Sequence, residues 1–272
     1  MRKVISCALV CMLVLACLSL TSCNNDPYAN LKIVDLGQER EYFGIAFRSG
    51  SDLTRKVEDI TLELIKDGKF EELGKKYQIS AFKEDEYTPK ADAFSDSNDF
   101  AKVKKAGKLV IGITDYKPMD YKDDNGKWIG FDADYARLVC EKLGVKAEFK
   151  EIDWDNKELE LKGGTIDCIW NGMTITDAIE EIADCTVPYM YNMQVAVIHK
   201  KNAKKYTDLA SLKGATTTAE SGSAGAQLAE SNDDLKKNFH GVTAQTDAIL
   251  EVISGTSDAA IVDYTLAAAL VK

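Results

Sequence analysis

Short apolar runs and amphipathic stretches take turns along most of this chain, and that pattern alone predicts its elements. Runs at 31–36, 43–48, 108–114, 147–152, 166–170, 195–199, 215–219 and 259–264 have strand character. Several are continuously apolar, as in strands buried on both faces. Helical spacing recurs between them. Ala136, Val139 and Leu143 form a stripe over 132–143 closed by Gly144, and Ala248, Ile249 and Val252 do the same over 245–254 before Gly255. Leu53, Val57, Ile60 and Leu64 also recur at helical spacing, with Asp52 placed to cap the start and Gly68 to end the turn. Phe70, Leu73 and Tyr77 mark a second, shorter helix. After Ser80 the periodicity dissolves into "AFKEDEYTPKADAFSDSNDF", polar, charged and broken by Pro89, which reads as a linker. The alternation predicts an α/β class.

The extreme N-terminus follows a different pattern. Arg2 and Lys3 precede an apolar run over 4–20, and "LTSC" then ends on Cys23. A basic start, an apolar stretch and small residues before a thiol make a secretory leader, and the segment resembles a bacterial lipoprotein signal. That resemblance implies removal of residues 1–22 and a lipid on Cys23 that holds the mature chain to the membrane. The alternative is an uncleaved membrane anchor, although the run falls short of the roughly 18 apolar residues of a spanning helix. Both place the bulk of the chain outside the cytoplasm.

Charge and cysteine content narrow the classes further. The chain has 34 Lys and Arg against 44 Asp and Glu, and loss of 1–22 removes two cations and no acids, moving the formal charge from −10 to −12. Nucleic acid is therefore not an expected partner. Cys7, Cys11, Cys17 and Cys23 belong to the leader, which leaves Cys140, Cys168 and Cys185 without a CxxC or zinc-like spacing. Cys168 with Cys185 is a possible disulfide, and separate buried thiols are the other reading. With no phosphate loop and no paired metal ligands, no cofactor is expected.

From 107 to 272 the blocks "GKLVIGITDYKPMDYKDDNGKWIGFDADYARLVCEKLG", "IDWDNKELELKGGTIDCIWNGMTITD", "VPYMYNMQVAVIHKK", "DLASLKG" and "SDAAIVDYTLAAALVK" follow one another at sensible spacing. Together they resemble the extracytoplasmic solute-binding proteins of amino-acid ABC transporters, family 3 type. In that family, segments similar to "YFGIAFRSGS" and "LIKDGKFEELGKKYQIS" come last, whereas here they come first. The resemblance implies a two-lobed, type II periplasmic-binding-protein-like fold in circularly permuted order, with the ligand cleft between the lobes. Lobe 1 is expected from 43–80 and 100–198, and lobe 2 from 26–42 and 199–272, with 81–99 as the linker joining the family's usual termini. The implied partners are a small polar ligand, most simply an amino acid, an ABC transporter permease, and the membrane through Cys23. The protein is expected to be a monomer and not an enzyme.

The same resemblance implies a site. Tyr116, Trp154 and Trp170 would be aromatic walls, and Asn171, Gly172 and Thr174 polar contacts after "DCIW". Ser223 would sit at a helix N-terminus facing a carboxylate, and Asp263 would accept the ligand's ammonium. The residues by themselves also allow core roles for the three aromatics, a turn role for Asn171 and an N-cap role for Ser223. Asp263 is different, because an acid closing the apolar run 259–262 needs a cation or a helix N-terminus to meet it. One departure stands out: where the family commonly has an Arg that grips the ligand's α-carboxylate, this chain has Ile179. Arg40, Arg48, Arg55 and Arg137 are the arginines left beyond the leader, and none falls in a matched ligand loop. Either Thr174 and the amides around Ser223 hold the carboxylate, or the ligand is an amine or a short peptide. A different class is a periplasmic dehydratase-like enzyme on the same scaffold, with Asp115 or Asp263 as base. Against it, His199, expected in the crossover, and His240 are the only histidines, and "SGSAG" lacks the glycine of a nucleophile elbow.

Overall fold

The computed structural model describes residues 26–89 and 97–272. The expected leader and Cys23 lie outside the described residues, as does 90–96 within the expected linker. Among the described residues no helix is long and apolar enough to cross a membrane.

Along the chain, β1 (Leu31–Asp35) and β2 (Glu41–Arg48) lead into α1 (Asp52–Lys66) and α2 (Lys69–Tyr77). Next come α3 (Asp99–Ala106), β3 (Lys108–Ile113), the ribbon β4 (Tyr121–Lys122) and β5 (Trp128–Ile129), then α4 (Phe131–Leu143), β6 (Lys146–Glu151), α5 (Lys157–Gly163) and β7 (Cys168–Thr174). The chain continues through α6 (Asp177–Glu180), β8 (Ala183–Cys185), β9 (Met190–Asn192) and β10 (Gln194–His199). It ends with β11 (Thr217–Glu220), α7 (Ala224–Ser231), β12 (Phe239–Val242), α8 (Gln245–Ser254), β13 (Ala259–Asp263) and α9 (Tyr264–Leu270). Two main sheets form the lobes: a six-stranded sheet with the path β6-β3-β7-β2-β8 and β9 beside β2, and a five-stranded sheet ordered β1-β10-β13-β11-β12.

Several expectations shift at the element ends. α1 is capped by Ser51, whose Oγ accepts from the Leu53 amide. Asp52 instead accepts from the Phe100 amide at 2.9 Å, at the start of α3, and so fastens the N-terminal helix to the later chain. α3 begins within the end of the stretch expected to be linker. β7 begins at Cys168 and runs on to Thr174, because Asp167 is spent outside the strand, its carboxylate accepting from the Val110 amide. Tyr264 starts α9 and does not close β13. The largest shift concerns β10, which the expected boundary at 198 put in lobe 1. It lies between β1 and β13 in the five-stranded sheet, because Val195 to Ile198 are apolar on both faces and need partners on both edges. The chain therefore passes between lobes at Leu36 to Arg40 and near Met193, and His199 lies inside the second lobe.

Cys140, Cys168 and Cys185 are buried. Cys168 pairs with Phe47 and Cys185 with Ala46, on opposite edges of β2. A whole strand separates them, about 10 Å at the usual spacing, which is beyond disulfide reach.

The segment ahead of α3 is integral to the core. Phe70 of α2 meets Tyr135 of α4 edge to face at 4.9 Å and Phe131 at 5.3 Å, and Phe43, Phe47, Leu53 and Val57 are fully buried. Each such side chain contributes about 1.5–3 kcal/mol.

The same core contains two acids. Asp132, in the first turn of α4, accepts from the Gly172 amide at 2.6 Å and from the Tyr189 hydroxyl at 2.8 Å. Asp120 is fully buried, and neither of its oxygens finds a protein donor. Burial pushes Asp132 up to about 7, with its hydrogen bonds opposing, and burial followed by the Asp132 charge holds Asp120 well above the usual carboxylate range. A raised folded pKa means that the native protein keeps protons which the unfolded chain has released. Stability is then fullest below about pH 4 and is lost as pH rises through about 7. Asp120→Asn removes one of the two charges. Its melting temperature is expected to exceed the parent's by about 2–4 °C at pH 7.5, on the order of 1 kcal/mol, and by distinctly less at pH 5. A gap that does not change with pH in thermal melts would overturn this account.

Candidate functional site

The C-terminal ends of β3, β7, β11 and β13 meet where the two lobes face each other, the usual location of ligand sites in open α/β sheets. Between them lies a narrow cavity with about 30 Å³ of room for water centres, lined by residues of both lobes. One water needs roughly 10–15 Å³ by this measure, so nothing as large as an amino acid enters unless the lobes part.

Of the residues singled out from the sequence, Tyr116, Trp154, Asn171, Gly172, Thr174, Ser223 and Asp263 line this cavity, as does Ile179. Trp170 does not. It points to the opposite face of β7, fully buried and edge to face with Tyr135 at 4.6 Å, because successive strand residues alternate sides and Asn171 takes the cavity side.

Gly172 permits the wall that Tyr116 makes. Its φ is +56°, and a Cβ there would lie 2.6 Å from the Tyr116 ring and 3.1 Å from Phe43. Tyr116 itself meets Phe43 edge to face at 6.4 Å. Asn171 donates to Thr114 Oγ1 at 2.7 Å. Ser223 is the N-cap of α7, its Oγ accepting from the Ala226 amide at 3.1 Å. Thr176 caps α6 in the same way, and its Oγ1 accepts from the amide of Ile179, whose side chain closes one side of the cavity.

Asp263 ends β13 and is buried among amides, and among the described residues no cation pairs with it. Asn192 Nδ2 donates to its Oδ1 at 2.5 Å and Gln194 Nε2 at 2.7 Å, and Gln245 Nε2 donates to its Oδ2 at 2.5 Å. The Gln194 and Asn192 amides also reach Glu41 Oε2, at 2.9 and 3.3 Å, and Thr174 Oγ1 donates to the same atom at 3.2 Å. Burial raises the pKa of both acids. For Asp263 the amide donors oppose that rise, whereas for Glu41 the neighbouring Asp263 adds to it.

Among the described residues, Asn171 Oδ1 and Glu220 Oε1 on the cavity wall are buried without a protein partner, and the Tyr116 hydroxyl, buried beside Asp263 and Thr265, makes no well-formed hydrogen bond. Glu220, at the end of β11, is held well above the usual carboxylate range, first by burial and then by Asp263. Sequence reasoning passed over Glu220, Glu41, Gln194, Gln245 and Lys157. Lys157 sits in "DNKELELKGG", where nothing local distinguishes a buried lysine from a solvated one. Glu220 directly precedes the "SGSAG" loop and ends a run buried throughout, a position equivalent to that of Asp263, and that equivalence was the available signal. Among the described residues no cluster of His, Cys, Asp or Glu could hold a metal ion.

Comparison with known proteins agrees with this architecture. The family model for bacterial extracellular solute-binding proteins, family 3, matches residues 109–268. The chain is 29% identical over 187 residues to the L-cystine-binding protein TcyJ of Escherichia coli (strain K12), covering 66% of this chain and 68% of that protein. It is 30% identical over 159 residues to the L-arginine-binding protein of Pseudomonas aeruginosa, covering 56% of this chain and 60% of that one. Among solved structures, the arginine-bound form of truncated ArgBP from T. maritima is similar with a TM-score of 0.59 at 30% identity, over 62% of this chain and 79% of that one. The ancestral amino acid-binding protein AncCDT-1, a precursor of cyclohexadienyl dehydratase, is similar with a TM-score of 0.59 at 34% identity, over 62% and 75% of the respective chains. With two sheets meeting at a polar cavity and a family match across most of its length, the chain belongs to the bacterial extracellular solute-binding proteins, family 3.

Proposed function

We propose that this protein captures a small polar solute bearing an ammonium group, an amino acid in the simplest case, and hands it to an ABC transporter permease. The observation that carries the reading is the wall of the cavity, where, among the described residues, Asn171 Oδ1 and Glu220 Oε1 are buried without protein partners beside the amide-held acids Asp263 and Glu41. A buried polar group left unpaired costs about 1–3 kcal/mol, so a ligand that supplies the missing partners recovers that cost on closure. Two acids with no cation between them favour an ammonium, and we assign that contact to Asp263. Tyr116 and Trp154 are the aromatic walls of the site, and Asn171, Gly172 and Thr174 its polar edge. Binding and release by lobe movement suffice for such a role. Lipidation at Cys23 would keep the protein beside its permease.

We further propose that the chain carries the family's order in rotated form. The support is that β1, β2, α1 and α2 precede the matched region, yet β1 pairs in one lobe's sheet and β2 in the other's. Permutation is tolerated where termini lie in exposed loops.

Two tests follow from these assignments. Calorimetric titration of amino acids and small amines into the full chain is expected to find a ligand, and Asp263→Asn is expected to weaken it at least tenfold, about 1.4 kcal/mol, with little loss of thermal stability. A mutant that binds as tightly as the parent would remove the ammonium assignment. For the chain order, a rearranged protein is made that runs from Ser97 to Lys272, through a flexible linker of about ten residues, then from Asp26 to Pro89, which keeps the buried Phe82 and Tyr87. Such a linker reaches roughly 33 Å. It is expected to fold and to bind the same ligand within about threefold, and a rearranged chain that cannot fold would count against the rotated order.

A further inference from the structure

Ile179 leaves the cavity without a guanidinium, yet its wall still holds one cation. Lys157, the first residue of α5, is 6% exposed and lines the cavity from the six-stranded lobe. Its Nζ donates to the carbonyl of Gly222, in the opposite lobe, at 2.9 Å and to its own lobe's Trp154 carbonyl at 3.3 Å. The ammonium lies over the Trp154 ring, with Nζ 5.1 Å from the ring centroid. Two of the three ammonium donors are thus used, both on neutral carbonyls, and among the described residues no acid forms an ion pair with it. A buried ammonium without a contact ion pair is costly, and burial indeed lowers its pKa. Glu158, Glu220 and Asp155 attract Lys157 without an ion-pair contact, and of these Glu220 lines the same cavity.

The opposite lobe is shaped to approach this group. Gly222 has φ +71°, and a Cβ there would lie 2.8 Å from Asp155 Oδ1 and 3.4 Å from Lys157 Nζ. Only a glycine lets the β11–α7 loop come down on the lysine. Closure therefore seals the ammonium inside the site, where its remaining donor is available to a ligand and to little else.

We propose that Lys157 is the anion-binding residue of this cavity: its ammonium receives the carboxylate of a ligand whose own ammonium lies at Asp263. The substrates are then zwitterions, and simple amines are poor ligands. This rests on the reading of the cavity as a solute site and adds its charge selectivity. A lysine is a point charge and not a planar fork, so it holds a carboxylate without imposing two parallel hydrogen bonds, and it tolerates more than one orientation of the ligand.

The test is calorimetric titration of the full chain with matched pairs that differ by one carboxylate per head group: L-arginine and agmatine, L-histidine and histamine, L-cystine and cystamine. The parent is expected to bind at least one amino acid about tenfold or more tightly than its amine. Lys157→Met keeps the stem and removes the charge, and is expected to lose about tenfold or more for that amino acid while changing the amine less than about threefold. Lys157→Arg is expected to retain the preference. In Lys157→Met/Glu220→Gln the amino acid is expected to stay weak. Recovery of its binding in that double variant would make Lys157 merely the counter-charge of Glu220, and would overturn the proposal. Equal losses for amino acid and amine in Lys157→Met would make it a brace between lobes, and undiminished discrimination would make it a bystander; each overturns the proposal. A parent that prefers the amine overturns it too, leaving the solute-site reading intact. A parent that binds no member of the panel, or of the wider set of solutes, removes the proposed function and this inference together.

Discussion

Two carboxylates side by side at the junction of the sheets, Asp263 buried and Glu41 half-buried, with amides in place of cations around them, set the terms for the rest of this structure. Asp263 and Glu41 share the Gln194 and Asn192 side chains as donors, and those amides sit on β10 and β9, on either side of the crossing between lobes. Thr174 adds β7 and Gln245 adds α8. Asn192 also accepts from the Thr265 amide and hydroxyl at the start of α9. One hydrogen-bonded cluster thereby ties together elements of both lobes. Amide dipoles can stabilise an anion but cannot neutralise it, so both acids remain poised for a positive charge.

The cavity follows from that constraint. β13 must end at Asp263 and β11 beside it at Glu220, which brings the "SGSAG" loop over the opposing lobe, where the Gly222 carbonyl meets Lys157. On the other side, the Asp132 carboxylate draws in the Gly172 amide and so holds the turn of backbone against which Tyr116 lies. A buried acid in the core of one lobe thus positions the aromatic wall of the site, at a cost in stability that grows with pH. Room for about two or three waters remains between the lobes.

Local pattern carried much of this. The span of α8 was readable residue for residue from Ala248, Ile249, Val252 and the glycine that follows. Asp263 could be picked out because an acid at the end of an apolar run needs a cation or a helix N-terminus to meet it, and α9 does begin there, and Ile179 because the surrounding block left one position open. The errors have physical causes as well. Trp170 and Asn171 are neighbours in a strand, and which of them faces the cavity depends on the parity of a register that only the β2 and β3 pairings settle. β10 was placed in the wrong lobe because an apolar run says that a strand is buried on both faces and does not say by which sheet. The thiols of Cys168 and Cys185 are close in the sequence pattern but have all of β2 between them.

By itself, then, the sequence determined the α/β alternation, the helix ends at Gly144 and Gly255 and the buried place of Asp263, because each depends on neighbours within a few residues. Only the tertiary structure decided what Lys157 and Glu220 do. Both sit in segments whose local chemistry is compatible with water, and their burial arises from a second lobe closing over them. Burial created at an interface between distant segments leaves no period, cap or turn signal in either one, and so it is decided only when the two are brought together.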